Sequence, residues 1–445
     1  MNIQPTPRNW FNDMVQQNAA RVSASASSWL NQTRAQAMDA IGNMTLPDRK
    51  QEAWRYTDLG KLYKHSYRYQ PTFQSQADDG ASVDQWIYAD NASYRLVFTN
   101  GHYNPNLSDI HSLPDGVRVG SVHQILSTTP DSVSSRMEQR VTDNTDVFNE
   151  LNRALFNDGL FIHVPENVSV DRPIEVVYLN ISHDENLLCQ PRSLVILEAG
   201  ARAKLIERYI GDGQRSYFFN GVTEISLFEH ASLEHVRLQQ ETRLAHHLSR
   251  IALRQHTASE YSGVNIATGG AWSRTDINAR FEGPHAVCDL NGLYSVGDQQ
   301  TTDFHLDVLH NVPHCSSREN FKGIVYGNGR AVFDGRILVE KHAQKTDAQL
   351  SNKNLLLSEN GEVDTKPQLE IHADDVKCSH GTTVGKIDPN QLFYLRSRGI
   401  DQHRARQMIC LGFAEQVLSH LDDEAVHDYA YGQIADLFDQ QEIVL

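Results

Sequence analysis

Gly200-Ala201-Arg202-Ala203-Lys204-Leu205 runs a small-residue turn directly into a strand-like segment. The same arrangement returns at His230-Ala231-Ser232-Leu233-Glu234-His235-Val236 and at Asn328-Gly329-Arg330-Ala331-Val332-Phe333, with starts about 30 and then about 98 residues apart. This is a loose internal repeat. Around it lie further short β-rich runs: Leu160–Val164, Ile174–Leu179, Leu194–Leu197 and Ala203–Tyr209. Hardly a convincing helix intervenes up to about residue 385. More than two hundred residues of short repeated strands predict a mainly β fold, a β-solenoid in which each rung covers its neighbour and closes the core. A β-sandwich or propeller is the plainer competitor.

The flanks read differently. Phe11, Met14, Val15, Ala19 and Val22 fall at helical spacing, and after a Ser/Ala-rich interval at Ser23–Ser28 so do Trp29, Leu30, Ala37 and Ile41. Pro47 opens another element through Thr57, with an acid in its first turn. Residues 70–85 are polar and read as a loop. Tyr94–Thr99 reads as a strand meeting the turn Asn100-Gly101. Val147, Phe148, Leu151, Leu155 and Phe156 share a helix face that stops at Asn157-Asp158-Gly159. Near the C-terminus, Asp401 can cap a helix carrying Ala405, Met408, Ile409, Gly412, Phe413, Gln416 and Val417, followed by a second with Ala425, Val426, Tyr429, Gly432 and Phe438. Three regions follow: 1–158, helical with some strands; 159–385, the β core; and 386–445, helical.

No apolar run approaches the roughly 18–20 residues of a membrane helix, and mean hydropathy is −0.49. The first residues lack a basic-then-apolar secretory pattern, so the expected location is the cytoplasm. Net charge of −16 argues against nucleic acid or an anionic membrane as the main partner. The five cysteines, at 189, 288, 315, 378 and 410, are odd in number and form no CxxC pair. That is not a disulfide framework, and the pattern argues against a four-ligand structural zinc site.

Nucleotide binding fails on inspection. Gly381-Thr382-Thr383-Val384-Gly385-Lys386-Ile387 is one residue short of a phosphate loop and ends in Ile where a hydroxyl belongs. HExxH, GxSxG and GxGxxG are absent. The informative stretch is Asp374-Asp375-Val376-Lys377-Cys378-Ser379-His380-Gly381. On an extended strand Cys378 and His380 face the same side, offering a thiolate and an imidazole to zinc, iron or an iron–sulfur cluster. Two ligands make an incomplete site, so further donors would come from another chain. An arbitrary C-x-H is more often a buried small thiol beside a surface histidine. His310 with His314 and Cys315 reads as structural, and His246-His247 as a solvated loop. Some β-helices are polysaccharide lyases or hydrolases using carboxylates. Asp374 and Asp375 suit that alternative poorly, because adjacent strand residues diverge.

Several longer motifs in order carry a more specific signal. Asp334-Gly335-Arg336-Ile337-Leu338-Val339, Ala343-Gln344-Lys345-Thr346-Asp347-Ala348-Gln349-Leu350, Leu355-Leu356-Leu357-Ser358, Val363 to Ile371, Val376 to Gly381 and Phe393-Tyr394-Leu395-Arg396-Ser397-Arg398-Gly399 resemble the SufB/SufD family, on its SufD side more than its SufB side. Glu52-Ala53-Trp54-Arg55-Tyr56-Thr57 adds to the likeness, which spans nearly the whole chain. A SufB-type paralogue is the near alternative. The resemblance implies a right-handed parallel β-helix flanked by helical regions, acting as a non-catalytic scaffold subunit of an iron–sulfur cluster assembly complex. It implies pairing with SufB through the β-helix and with the ATPase SufC through the C-terminal helical region. Phe393, Tyr394, Leu395, Arg396, Arg398, Met408 and Phe413 are the contact candidates there. This chain would bind no nucleotide, and an isolated chain could pair with a second copy. At the SufB interface His380 is the stronger candidate ligand for iron or a transient cluster, and Cys378 the weaker.

Overall fold

A strand of β-branched and aromatic residues between tight turns buries its faces only when neighbours lie on both sides of it. The computed structural model, which describes residues 6–22, 25, 27–70, 93–137, 146–182 and 185–440, meets that need by stacking. The chain winds between two sheets whose strands alternate in sequence, giving a β-solenoid of about eight turns, with 42% of the described residues in strands and 24% in helices. The first sheet runs from Leu160–Val164 through Arg192–Leu197, Tyr217–Leu227, Ala245–Gln255, Trp272–Phe281, Thr301–His310 and Arg330–Val339 to Glu362–Ile371. The second runs from Tyr94–Thr99 through Ile174–Ser182, Arg202–Gly213, Ser232–Gln240, Glu260–Ala267, Val287–Val296, Ser316–Val325 and Asp347–Leu356 to Lys377–Gly385.

Successive rungs pair in parallel. One inward column is Ile225, Leu253, Ala279, Val308, Ile337 and Leu369. All belong to or pack on the main core between the sheets. One corner repeats through the stack with a left-handed residue at each turn: Asn167, Gly200, His230, Ala258, His285, His314 and Lys345, with φ between 51° and 68°. Backbone bonds tie this corner from turn to turn, as from His230 N–H to Thr257 O at 2.9 Å and from His314 N–H to Gln344 O at 2.9 Å. Gly200 and His230 are therefore true repeats. Asn328 is not, since it sits on the opposite corner, between Ser316–Val325 and Arg330–Val339.

Helices cover the outer faces. Helices α1 (Pro7–Ala19), α2 (Ser28–Asn43), α3 (Val122–Thr128), α4 (Asp131–Ser134) and α5 (Val147–Leu155) belong to the N-terminal region. Trp10, Phe11, Phe148 and Leu151 from α1 and α5 pack with Phe218, Leu248 and Trp272 on the outside of the first sheet. After the solenoid come α6 (Pro389–Ser397), α7 (Gln402–Leu418) and α8 (Glu424–Gln440). Ala414, Val417, Val426, Ile434 and Phe438 cover Val236, Leu238, Ile266, Leu293 and Ile324 on the outside of the second sheet. Asp401 does cap α7, accepting from Arg404 N–H at 3.0 Å. The buried face is nevertheless rotated from the expected stripe, to Ala405, Cys410, Ala414, Val417 and Leu418, leaving Met408 44% exposed. Among the described residues no helix is long and apolar enough to cross a membrane.

Two other expectations need correction. The element expected from Pro47 is only turns and a single 3-10 turn at Glu52–Trp54. Asp48 spends its carboxylate on Lys50 N–H, and Trp54 is drawn beneath the Arg274 guanidinium at 4.0 Å. The expected 70–85 loop lies outside the described residues beyond residue 70.

Candidate functional site

The two ends of the solenoid differ. At the near end, the antiparallel strands Arg118–Ser121 and His102–Tyr103 cover the outermost parallel strands, the second through the turn Asn100-Gly101. At the far end Glu362–Ile371 and Lys377–Gly385 are the last strands of their sheets, each paired on one side only among the described residues. Pro367, which has no N–H to offer, sits in the first of these, as proline within a sheet does at edges. Side chains that would be interior in any earlier rung are half-buried or exposed here. Val363, Leu369, Val376 and Cys378 still pack on the main core, while Ile371 is 40% and Val384 47% exposed.

Cys378 and His380 lie on this last strand. Cys378 stacks on Ala348 and His380 on Leu350, both buried inward-facing residues, so the pair continues two core columns past the point where the core ends. Cys378 is half-buried and His380 exposed. Burial pushes the Cys378 thiol up, with Asp347 and Glu319 adding to the shift. A bound cation is the natural way to hold it as thiolate. Among the described residues no group of three or more His, Cys, Asp or Glu side chains is placed to hold a metal ion. The pair thus places a thiol and an imidazole on one face of an open edge.

Gly381 to Gly385 belong to the same strand, an extended backbone that does not cradle a phosphate. Asp374 and Asp375 are on the corner rather than on a strand, and Asp375 pairs with Lys345. Of the residues on the C-terminal helices, Phe393 and Tyr394 are 74% and 58% exposed, Arg396 and Arg398 exposed, and Leu395 half-buried. Helix α6 has no buried residue at all. Phe413 faces the other way: it is half-buried against the solenoid with the Lys322 ammonium 4.4 Å over its ring.

Sequence reading missed the polar interior. His246 and His247 are not in a loop but on Ala245–Gln255, only 3% and 1% exposed. His246 bonds the Tyr67 hydroxyl at 3.1 Å beneath the N-terminal helices, while His247 meets Glu241 at 2.8 Å. Nearby, Glu207 receives His235 at 3.0 Å and Arg237 at 3.2 Å. Burial alone would raise its pKa, but those partners outweigh it and hold Glu207 down at about 2. Outside the first sheet, a groove of about 440 Å³ beside Glu52–Trp54 is lined by paired charges, among them Lys366 with Glu52 at 2.6 Å and Arg250 with Asp276 at 3.3 Å. The signal for the interior was available only as polar residues at inward positions, which needs the register.

Comparison with known proteins agrees across the chain. The family model for the SufBD protein N-terminal region matches residues 6–176, and that for the SUF system FeS cluster assembly SufBD core domain matches residues 180–413. An iron–sulfur cluster assembly SufBD family protein of Synechocystis is 31% identical over 410 residues, covering 90% of each chain. The iron–sulfur cluster assembly protein SufD of Escherichia coli is 34% identical over 392 residues, covering 87% of this chain and 88% of its own. The SufD of Bacillus subtilis is 26% identical, covering 90% and 92%.

Proposed function

Because this chain belongs to the SufBD family of iron–sulfur cluster assembly proteins, we propose that it is a SufD-like, non-catalytic scaffold subunit that helps build a nascent cluster at the open end of its solenoid. The observation that carries the reading is the pair Cys378 and His380, on one face of an edge strand paired on one side only among the described residues. The cluster is cargo rather than a resident group. A thiol and an imidazole suit iron, and an incomplete ligand set suits cargo that is assembled and released. Remaining donors would come from a SufB-type partner whose own rung continues the stack, main chain to main chain. His380, already exposed, is the stronger ligand, while Cys378 must first lose a proton that its half-buried position retains.

Nucleotide hydrolysis is assigned to a SufC-type ATPase subunit docked on the exposed aromatic and basic face of α6, at Phe393, Tyr394, Leu395, Arg396 and Arg398, with Met408 beside it and Phe413 on its inner flank. The intended compartment is the cytoplasm. The test is the iron and acid-labile sulfide content of the co-expressed complex after anaerobic purification. His380→Ala should leave association nearly intact, because an exposed side chain is trimmed at little cost, and should sharply reduce cluster loading. Cys378→Ser should reduce it less. Normal loading in His380→Ala would remove that residue from the mechanism, and loss of the whole complex would make it a packing residue.

A further inference from the structure

The repeating corner displays one left-handed residue per turn along a single edge of the solenoid. That conformation suits histidine better than most side chains, yet Ala258 and Lys345 hold it too. The backbone therefore does not demand imidazoles at two consecutive turns. His285 and His314 are both exposed, and their rings stack with centroids 4.9 Å apart and planes 16° apart. Among the described residues neither ring has a hydrogen-bond or ion-pair partner. By contrast, His256 meets Glu282 at 3.5 Å, and His427 meets Glu415 at 3.1 Å. Two imidazoles with open nitrogens are thus held next to each other by hydrogen-bonded backbone.

We propose that His285 and His314 form a two-imidazole site for a borderline divalent cation such as ferrous iron, zinc or cobalt. Such ions take imidazole nitrogen at about 2.0–2.1 Å. Adjacent rungs lie about 4.8 Å apart, so modest rotation of two exposed rings brings one nitrogen of each onto a single ion, with water completing the shell. Two protein ligands give a weak and exchangeable site. If the ion is a feedstock for the cluster, a role that rests on the cluster-assembly reading, its place is apt. The corner continues from His314 through Lys345 to Asp375, two rungs or roughly 10 Å along the axis, and Cys378 follows on the next strand.

The test is calorimetric titration of the metal-free full chain with Co²⁺. The variant is His285→Asn with His314→Asn, since asparagine keeps the left-handed backbone. Cobalt affinity should fall roughly tenfold or more in the double variant, partly in each single variant, and not at all in His230→Asn. Unchanged affinity in the corner double variant, or equal loss in His230→Asn, overturns the site. Cobalt binding is read on the isolated chain and so stands apart from cluster loading. Corner-dependent binding alongside normal cluster content in the His380→Ala complex would sustain the site and remove only His380 from the proposed cluster site.

Discussion

Glu319 points into the solenoid two rungs before His380, in the column Leu290, Glu319, Leu350, His380. It is 1% exposed, with Ser317 as its polar neighbour. Burial, with Asp289 adding to it, pushes its pKa up to about 8. A carboxyl group whose pKa rises on folding binds its proton more tightly in the native chain. Its contribution is fully present below the unfolded value of about 4.3 and is lost as pH climbs through about 8. Glu319→Gln keeps the shape and removes the charge. The variant should match the parent near pH 4.5 and exceed it by roughly 1–4 kcal/mol at pH 8, as measured by urea unfolding at both pH values. A constant difference across that range would contradict the assignment. Glu207 runs oppositely: its depressed pKa contributes stability above about 4.3 that is lost as pH falls towards about 2. Acid unfolding of the parent should therefore steepen in that window, and Glu207→Gln, which strands the Arg237 charge, should flatten it while lowering stability at pH 7 by about 3–5 kcal/mol.

At the scale of elements, the C-terminal helices divide into two jobs. Helices α7 and α8 seal an apolar sheet face, where each fully buried aliphatic side chain is worth about 1.5–3 kcal/mol. Deleting everything after Gly385 would strip that face and confound loss of binding with loss of fold. Helix α6 has no fully buried residue, and Phe393 and Tyr394 are exposed, so those two can be altered cleanly. Phe393→Ala with Tyr394→Ala should weaken ATPase-subunit binding about tenfold or more, with circular dichroism and thermal midpoint unchanged. Retained affinity would move the contact elsewhere. This division also shows what sequence could reveal. The strand runs were legible because alternation and turn residues are local, and Cys378 and His380 share a face by strand period alone. The rotated face of α7 was not legible, since which stripe is buried depends on the sheet beneath it. His246 and His247 looked like loop residues because histidine polarity is visible in sequence, whereas Tyr67 and Glu241, which satisfy them, are distant in it. Asn328 looked like a repeat because both corners use small residues; only strand order separates them.

For the whole molecule, stability should be graded along the axis. A stacked solenoid gains from nearest neighbours, and the far rung has a neighbour on one side only. In the isolated chain, amides of 362–371 and 377–385 should exchange much faster than those of 272–281 and 287–296, as read by hydrogen-exchange mass spectrometry. Uniform protection would show that the far end is already covered. The same asymmetry has a consequence for biogenesis. A chain that emerges from the ribosome can lay its rungs down in order on the covered near end, exposing a fresh tip each time. Those provisional tips display Tyr261 with Gly263, then Cys288 with Leu290, Ser317 with Glu319, and Ala348 with Leu350. Only the finished one displays a thiol beside an imidazole, so the pair proposed to receive the cargo becomes available only when the last rung has been laid down.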